Sequence, residues 1–199
     1  MLARSRWLTR ANGLTLLRLL AAPALVLAIR ADAVWVAAGA VSLAVATDFA
    51  DGFVARRFKE DSGLGRLIDH ATDAVFVTAG TAALAFEGVL PAPLPTLIAA
   101  SFLQYALDAR SSTSRGPRPS TLGRWNGIAY FAIVAVPIGR DALGLSWPGP
   151  AAVIAFGWLL VGSTAVSIAS RLWVGRIGCI TKERVRGWRG AGRADRSRR

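Results

Sequence analysis

Six apolar stretches, each close to the length that crosses a lipid bilayer, constrain this chain more than any other feature. They fall near residues 13–30, 33–56, 64–87, 90–108, 121–139 and 150–172. A helix needs about 20 residues to span the hydrocarbon core. The spacing therefore predicts an all-α integral membrane protein of about six transmembrane helices. A membrane domain over 1–172 is followed by a basic tail over 173–199. Pro23, Pro95 and Pro137 fall inside the stretches, which membrane helices tolerate better than soluble ones.

The charges orient this layout. The chain of 199 residues is 53% hydrophobic yet carries a net charge of +12. Such a balance often marks a nucleic-acid binder, but here long apolar runs separate the basic residues, so an anionic membrane surface is the expected partner and nucleic acid is not. Arg4, Arg6 and Arg10 precede the first stretch. Arg56, Arg57, Lys59 and Arg66 follow the second, and Arg110, Arg115, Arg118 and Arg124 follow the fourth. The alternate connections are poor in positive charge: Arg30 with Asp32, Glu87 among prolines, Arg140 with Asp141. An excess of Arg and Lys in alternate short loops marks the cytoplasmic side, which places both termini there. The first stretch has the basic lead-in of a secretory signal, but Arg18 interrupts it and it exceeds the usual 7–15-residue apolar core. It is expected to remain as the first helix. The tail contains Trp173 and Trp188 and closes on Arg196, Arg198 and Arg199, and is expected to rest unstructured on anionic headgroups. Cys179 is the only cysteine, which excludes an internal disulfide and leaves no partner for a zinc site.

Against this background four aspartates stand out. Asp48, Asp51, Asp69 and Asp73 lie inside stretches that otherwise read as membrane-spanning. One acidic residue at the centre of a membrane helix costs about 2.5–3.5 kcal/mol or more, and four together repel unless positive charge lies between them. At 100° per residue Asp48 and Asp51 share a helix face with Gly52 and Ala55, a shallow trough where a ligand approaches the backbone. Asp69 and Asp73 form a second edge on the next helix. The short connection predicts that these two helices run antiparallel as direct neighbours, with the acidic edges facing each other. Such an oxygen-rich cluster suits Mg²⁺ or Mn²⁺, two ions balancing four charges, and two-metal sites commonly clamp phosphate. Arg56 at the rim fits a diphosphate, because its planar fork matches phosphate oxygens.

These residues carry a resemblance. Asp48, Asp51, Gly52, Ala55, Arg56, Gly65, Asp69 and Asp73 fill every fixed position of D-x₂-D-G-x₂-A-R-x₈-G-x₃-D-x₃-D, the signature of the CDP-alcohol phosphotransferases. At ordinary residue frequencies such a match at one chosen site is expected on the order of once in 10⁸–10¹⁰. The resemblance implies that Asp48, Asp51 and Asp69 bind metal, and that Asp73 is both a ligand and the general base. It implies that Gly52, Ala55 and Gly65 make room for a cytidine nucleotide while Arg56 holds its diphosphate. The implied reaction moves a phosphatidyl group from CDP-diacylglycerol to a hydroxyl acceptor, glycerol 3-phosphate among the possibilities, and releases CMP. The implied setting is a membrane, the inner membrane if the cell is bacterial, with the site facing the cytoplasm. A homodimer is also implied, and small residues such as Ala79, Gly80, Ala82 and Ala83 permit close helix packing.

Outside the signature, Asn12, Leu14, Thr15, Arg18 and Pro23 are similar to the family's N-x-L-T-x-x-R…P opening. Asn12 is placed to cap the first helix, and Arg18 is expected to snorkel to the interface rather than reach the acidic site. Pro119, Ser120, Gly123 and Arg124 resemble a P-S-x-x-G-K segment with Arg in place of Lys. Arg124 and Arg171 suit either an acceptor phosphate or the charge bias of the cytoplasmic side. His70 is the only histidine. Asp69-His70-Ala71-Thr72-Asp73 departs from the D-P-x-A-D-K of bacterial phosphatidylglycerophosphate synthases. It is similar to the choline and ethanolamine branch, in which a CDP-aminoalcohol is the donor and diacylglycerol the acceptor. That exchange of roles stays open, as does a divalent-cation transporter, although a cation path gains nothing from Arg56.

Overall fold

The computed structural model describes the backbone of residues 10–58, 63–111 and 121–196, and the side chains of 17–50, 68–108 and 122–173. Among the described residues six helices follow one another: α1 (Arg10–Arg30), α2 (Val34–Phe58), α3 (Gly63–Phe86), α4 (Pro93–Ser111), α5 (Thr121–Ala142) and α6 (Pro150–Arg196). The described residues contain no strand. The expected helical class and helix number are both present.

α1 is the central element of the first half. It packs against both α2 and α3, which among the described residues do not pack against each other. This corrects the expectation of direct α2–α3 neighbours. The cause lies in the face α1 presents, where Ala21, Ala22, Leu25 and Ala28 are buried. Three alanines in one stripe leave α1 slim enough to sit between two helices. Direction follows from the side-chain pairs. Arg18 meets residues early in α3, while Arg30 at the far end of α1 pairs with Glu87 at 3.4 Å and lies over the Phe86 ring at 4.1 Å. α1 and α3 are therefore parallel, and α2, entering after Arg30 and reaching Arg18 through Thr47, runs against both.

α5 completes the core. Phe76 of α3 stacks on Phe131 of α5 with centroids 6.1 Å apart and planes 15° apart. A β-carbon on Gly80 would lie 2.9 Å from Leu25 and 3.1 Å from Val134. The small-residue stripe of α3 is thus occupied from within the chain at Gly80, by α1 and α5. α6 approaches the α3–α4 connection so closely that a β-carbon on Gly157 would fall 2.5 Å from the Pro91 ring.

The end bearing Arg30, Glu87 and Arg140 is closed by tight turns. Gly88 and Gly144 adopt φ of +73° and +63° just past α3 and α5. There the amides of Val89 and Leu145 reach back to the carbonyls of Leu84 and Arg140, both at 2.9 Å, the αL termination for which glycine is suited. The connections at the other end, 59–62 and 112–120, lie outside the described residues, as do 1–9 and 197–199.

α6 departs from expectation. Helical backbone continues through Arg196, where an unstructured tail was expected. No proline follows Pro150, and Lys182, Glu183, Arg184 and Arg186 are good helix formers. By length and composition, one helix among the described residues suffices alone to cross a membrane, Pro150–Trp173, with Val34–Ala50 a shorter apolar helix.

Candidate active site

The site forms where three helices bring their charges to the same end of the bundle. Asp48 sits near the end of α2; Asp69 and Asp73 sit one turn apart near the start of α3. Arg18 of α1 reaches between them. Its Nη1 donates to Asp69 Oδ1 at 2.9 Å and also to Asp73 Oδ1, and its Nη2 lies 3.6 Å from Asp48 Oδ1. Its Nε donates to Thr47 Oγ1 at 3.4 Å. Thr47 is itself anchored, donating to the carbonyls of Leu43 and Ala44, each at 2.9 Å. A threonine hydroxyl committed backward to its own helix turns a lone pair toward an incoming donor.

Arg18 does not snorkel. Its side chain is 0% exposed, whereas exposure of the acids rises from 16% at Asp73 through 34% at Asp69 to 55% at Asp48. A charge this deep without partners would cost several kcal/mol. With three carboxylates available, pairing displaces the longer reach to the interface. The exposure gradient also gives the cluster an open side, with Asp73 innermost.

Of the expected site residues, the structure brings together Asp48, Asp69 and Asp73. Asp51, Gly52, Ala55 and Arg56 lie in α2 and Gly65 in α3, but their side chains fall outside the described residues. His70, exposed, offers a ligand nitrogen with the carboxylates of Asp69 and Asp73, all within 4.8 Å of one another. Its ring meets that of Tyr105 edge-on at 5.4 Å. Together they border a cavity of about 190 Å³ between α3 and α4, otherwise lined by Ala71, Ala74, Phe102, Leu103 and Ala106. The donor chemistry fits a divalent cation. Hard carboxylate oxygens converge from two helices, and the geometry already gathers them around one positive group.

Sequence reasoning gave Thr47 no role. Its position beside Asp48 was visible, but its use depends on where α1 lies. A second polar cluster was also missed. Between α5 and α6, Tyr130 and Thr164 share a hydrogen bond of 2.7 Å, and Ser163 donates to Asn126 Oδ1 at 2.7 Å. Gln104 of α4 donates to the Ile168 carbonyl at 3.3 Å. Arg124 is exposed near the start of α5, and Arg171 is half-buried on α6.

The chain is similar to known proteins. It is 27% identical over 123 residues to a CMP-forming cardiolipin synthase of Streptomyces coelicolor, covering 61% of this chain and 57% of that one. It is 32% identical over 137 residues to a CDP-diacylglycerol–glycerol-3-phosphate 3-phosphatidyltransferase of Cereibacter sphaeroides, covering 63% and 61% respectively. The aligned region thus spans about three-fifths of these curated relatives. No solved structure matches. The sequence model of CDP-alcohol phosphatidyltransferase matches residues 8–173, a span that includes all six helices' apolar portions and every residue of the acidic site, and the chain belongs to that family.

Proposed function

We propose that this protein is an integral-membrane phosphatidyltransferase that moves a phosphatidyl group from CDP-diacylglycerol to a hydroxyl acceptor and releases CMP. The observation that carries the reading is the convergence of Asp48, Asp69 and Asp73 from two helices on one cationic centre with an open side. One relative's name puts the lipid on the donor, naming CDP-diacylglycerol and glycerol 3-phosphate, while the other is CMP-forming, which fits either direction. This favours the phosphatidyl direction over the CDP-aminoalcohol direction that His70 left open, and makes glycerol 3-phosphate the first acceptor to test.

In this reading Asp48, Asp51, Asp69 and Asp73 hold Mg²⁺ or Mn²⁺, two ions in the full site. Bound there, such ions supply the positive charge that stabilises phosphoryl oxygens as charge develops. The chain's own groups do the rest. Gly52, Ala55 and Gly65 admit the cytidine nucleotide against the helix backbone, and Arg56 pairs with its diphosphate. Asp73, the most enclosed acid of the site among the described residues, takes the proton from the acceptor hydroxyl. The acceptor oxygen then bonds to the phosphorus on the non-cytidine side, and the bond to CMP breaks.

The membrane setting is supported by the surface. Leu20, Leu27, Phe49, Leu103, Ile128, Leu159 and Val166 project outward from five different helices, where lipid would cover them. Trp35 and Trp147 lie toward the end bearing the tight turns, and Trp125 and Trp173 toward the acidic end, as in interfacial aromatic belts. Six spans, both termini in the cytoplasm and a cytoplasm-facing site follow from the charge pattern, with 1–172 as the membrane domain and the basic segment 173–199 at the membrane surface.

The test is CMP release by purified protein given CDP-diacylglycerol, a panel of hydroxyl acceptors and Mg²⁺ or Mn²⁺. Release that depends on acceptor and metal is expected. Release only with a CDP-aminoalcohol and diacylglycerol would transfer the assignment to the rival branch, and no release with any CDP-linked donor would end the enzyme reading.

A further inference from the structure

Arg18 has the largest side chain among those wholly buried in the described residues, and it occupies the centre of the carboxylate cluster. Its charge is permanent, since a guanidinium does not lose its proton in proteins. The oxygens it engages on Asp69 and Asp73, and the nearby one on Asp48, belong to the residues read above as metal ligands. A divalent ion placed among them meets a fixed positive charge at close range. Either Arg18 stays and repels the ion, or it gives up its carboxylate bonds to make room. Both outcomes weaken metal binding.

We propose that Arg18 is the resident counter-ion of this site, neutralising the aspartates when no divalent ion is bound and competing with the ion for Asp69 and Asp73, so that it sets the metal affinity. The proposal rests on the metal-site reading of these aspartates. Thr47 belongs to the same device. Its hydroxyl is anchored to the α2 backbone and accepts from Arg18 Nε, which holds the guanidinium in the competing position. The contrary role is equally concrete: an arginine that organises the carboxylates for the ion would make metal binding tighter, and its loss would weaken it.

Direct Mn²⁺ binding to the purified full chain in detergent, read from the loss of the free-ion paramagnetic resonance signal, separates the two without reference to turnover. Arg18→Gln is expected to bind Mn²⁺ at least about tenfold more tightly than wild type, since a close like charge is removed. Arg18→Lys, which keeps the charge, should bind Mn²⁺ more weakly than Arg18→Gln. Thr47→Val, which removes only the rest for Nε, should tighten binding by about two- to threefold. In chelator Arg18→Gln should melt below wild type, and saturating Mn²⁺ should narrow the gap. Equal or weaker Mn²⁺ binding in Arg18→Gln, with wild type binding normally, overturns the counter-ion role and leaves the metal site intact. Absence of Mn²⁺ binding in every protein removes the metal site and the counter-ion role with it. Should Arg18→Gln fail to fold, Thr47→Val decides, and unchanged or weaker binding in that variant overturns the proposal.

Discussion

Among the described residues, one guanidinium between α1, α2 and α3 answers three carboxylates; between α4, α5 and α6 hydroxyls and amides answer one another. Both clusters are polar groups inside an apolar bundle, yet they tolerate imperfection differently. In the neutral cluster Gln104 Oε1, Asn126 Nδ2 and Ser167 Oγ are buried without a partner among the described residues. Each such atom costs about 1–3 kcal/mol, which a bundle of this size absorbs. An unpaired buried charge costs more, so the charged cluster exists only as a set. The difference teaches where chemistry can reside: the set that must be complete to be stable is the one on which the proposed reaction draws.

The largest expected effect lies at the innermost acid. Asp73→Asn removes the proposed base and one of Arg18's partners, while leaving Asp48 and Asp69 in place. CMP release should fall by about 10²–10⁴-fold, the usual contribution of a positioned general base, while CDP-diacylglycerol binding is largely retained. Wild-type turnover in this variant would remove Asp73 as the base and blur the contrast between the two clusters.

Next comes Arg18→Gln, judged by stability in chelator. Removing one member of a buried ionic set usually costs about 3–5 kcal/mol. The lower end is expected here because Asp48 and Asp69 are 55% and 34% exposed and find water. Unfolding followed by circular dichroism in detergent would measure it. A loss no greater than that of a neutral hydrogen bond would show that the charged cluster is not a set.

The packing of the bundle can be tested at two glycines that look alike and differ. At Gly80 the nearest atom to an added β-carbon is Leu25 Cδ2 at 2.9 Å, the far end of a flexible side chain. At Gly157 it is the Pro91 ring at 2.5 Å, which cannot swing aside. Overpacking costs about 1–3 kcal/mol, and a helical alanine returns about 1 kcal/mol over glycine. Gly80→Ala, whose β-carbon also meets the buried Val134 at 3.1 Å, should therefore cost less than Gly157→Ala, which should lower the melting temperature and loosen α6 from the α3–α4 connection. Equal effects at both sites would show that the α6 contact does not constrain the bundle.

The acids of the charged cluster were legible in the sequence and the neutral cluster was not, for the same reason. Asp48, Asp69 and Asp73 stand out because a carboxylate in an apolar run is costly, so each demands an explanation at the level of sequence. Tyr130, Ser163 and Thr164 demand none, since hydroxyls in membrane helices bond to their own backbone, as Thr72 and Thr81 do here. The helices themselves follow from apolar run length. What no single-chain pattern carries is which helices touch. α1 enters between α2 and α3 because of its alanine stripe, and that placement decides whether Arg18 turns outward to the headgroups or inward to the acids. Snorkelling was a sound expectation for an isolated helix and is overruled by a neighbour relation.

Tyr130→Phe gives the smallest effect and the cleanest separation between the clusters. It deletes only the hydroxyl that shares the 2.7 Å hydrogen bond with Thr164 and keeps the ring that is 3% exposed in the core. A neutral buried hydrogen bond contributes about 1 kcal/mol, and interhelical ones in membrane proteins average about 0.6 kcal/mol. Thr164 is left with a hydroxyl that can turn to its own helix backbone, as Thr81 does, so even that loss is partly recovered. The melting temperature should drop slightly while CMP release and Mn²⁺ affinity stay at wild-type values. A fall in Mn²⁺ affinity would mean that the α5–α6 hydroxyls are coupled to the carboxylates through α3 and α5, and the two clusters would then have to be treated as one.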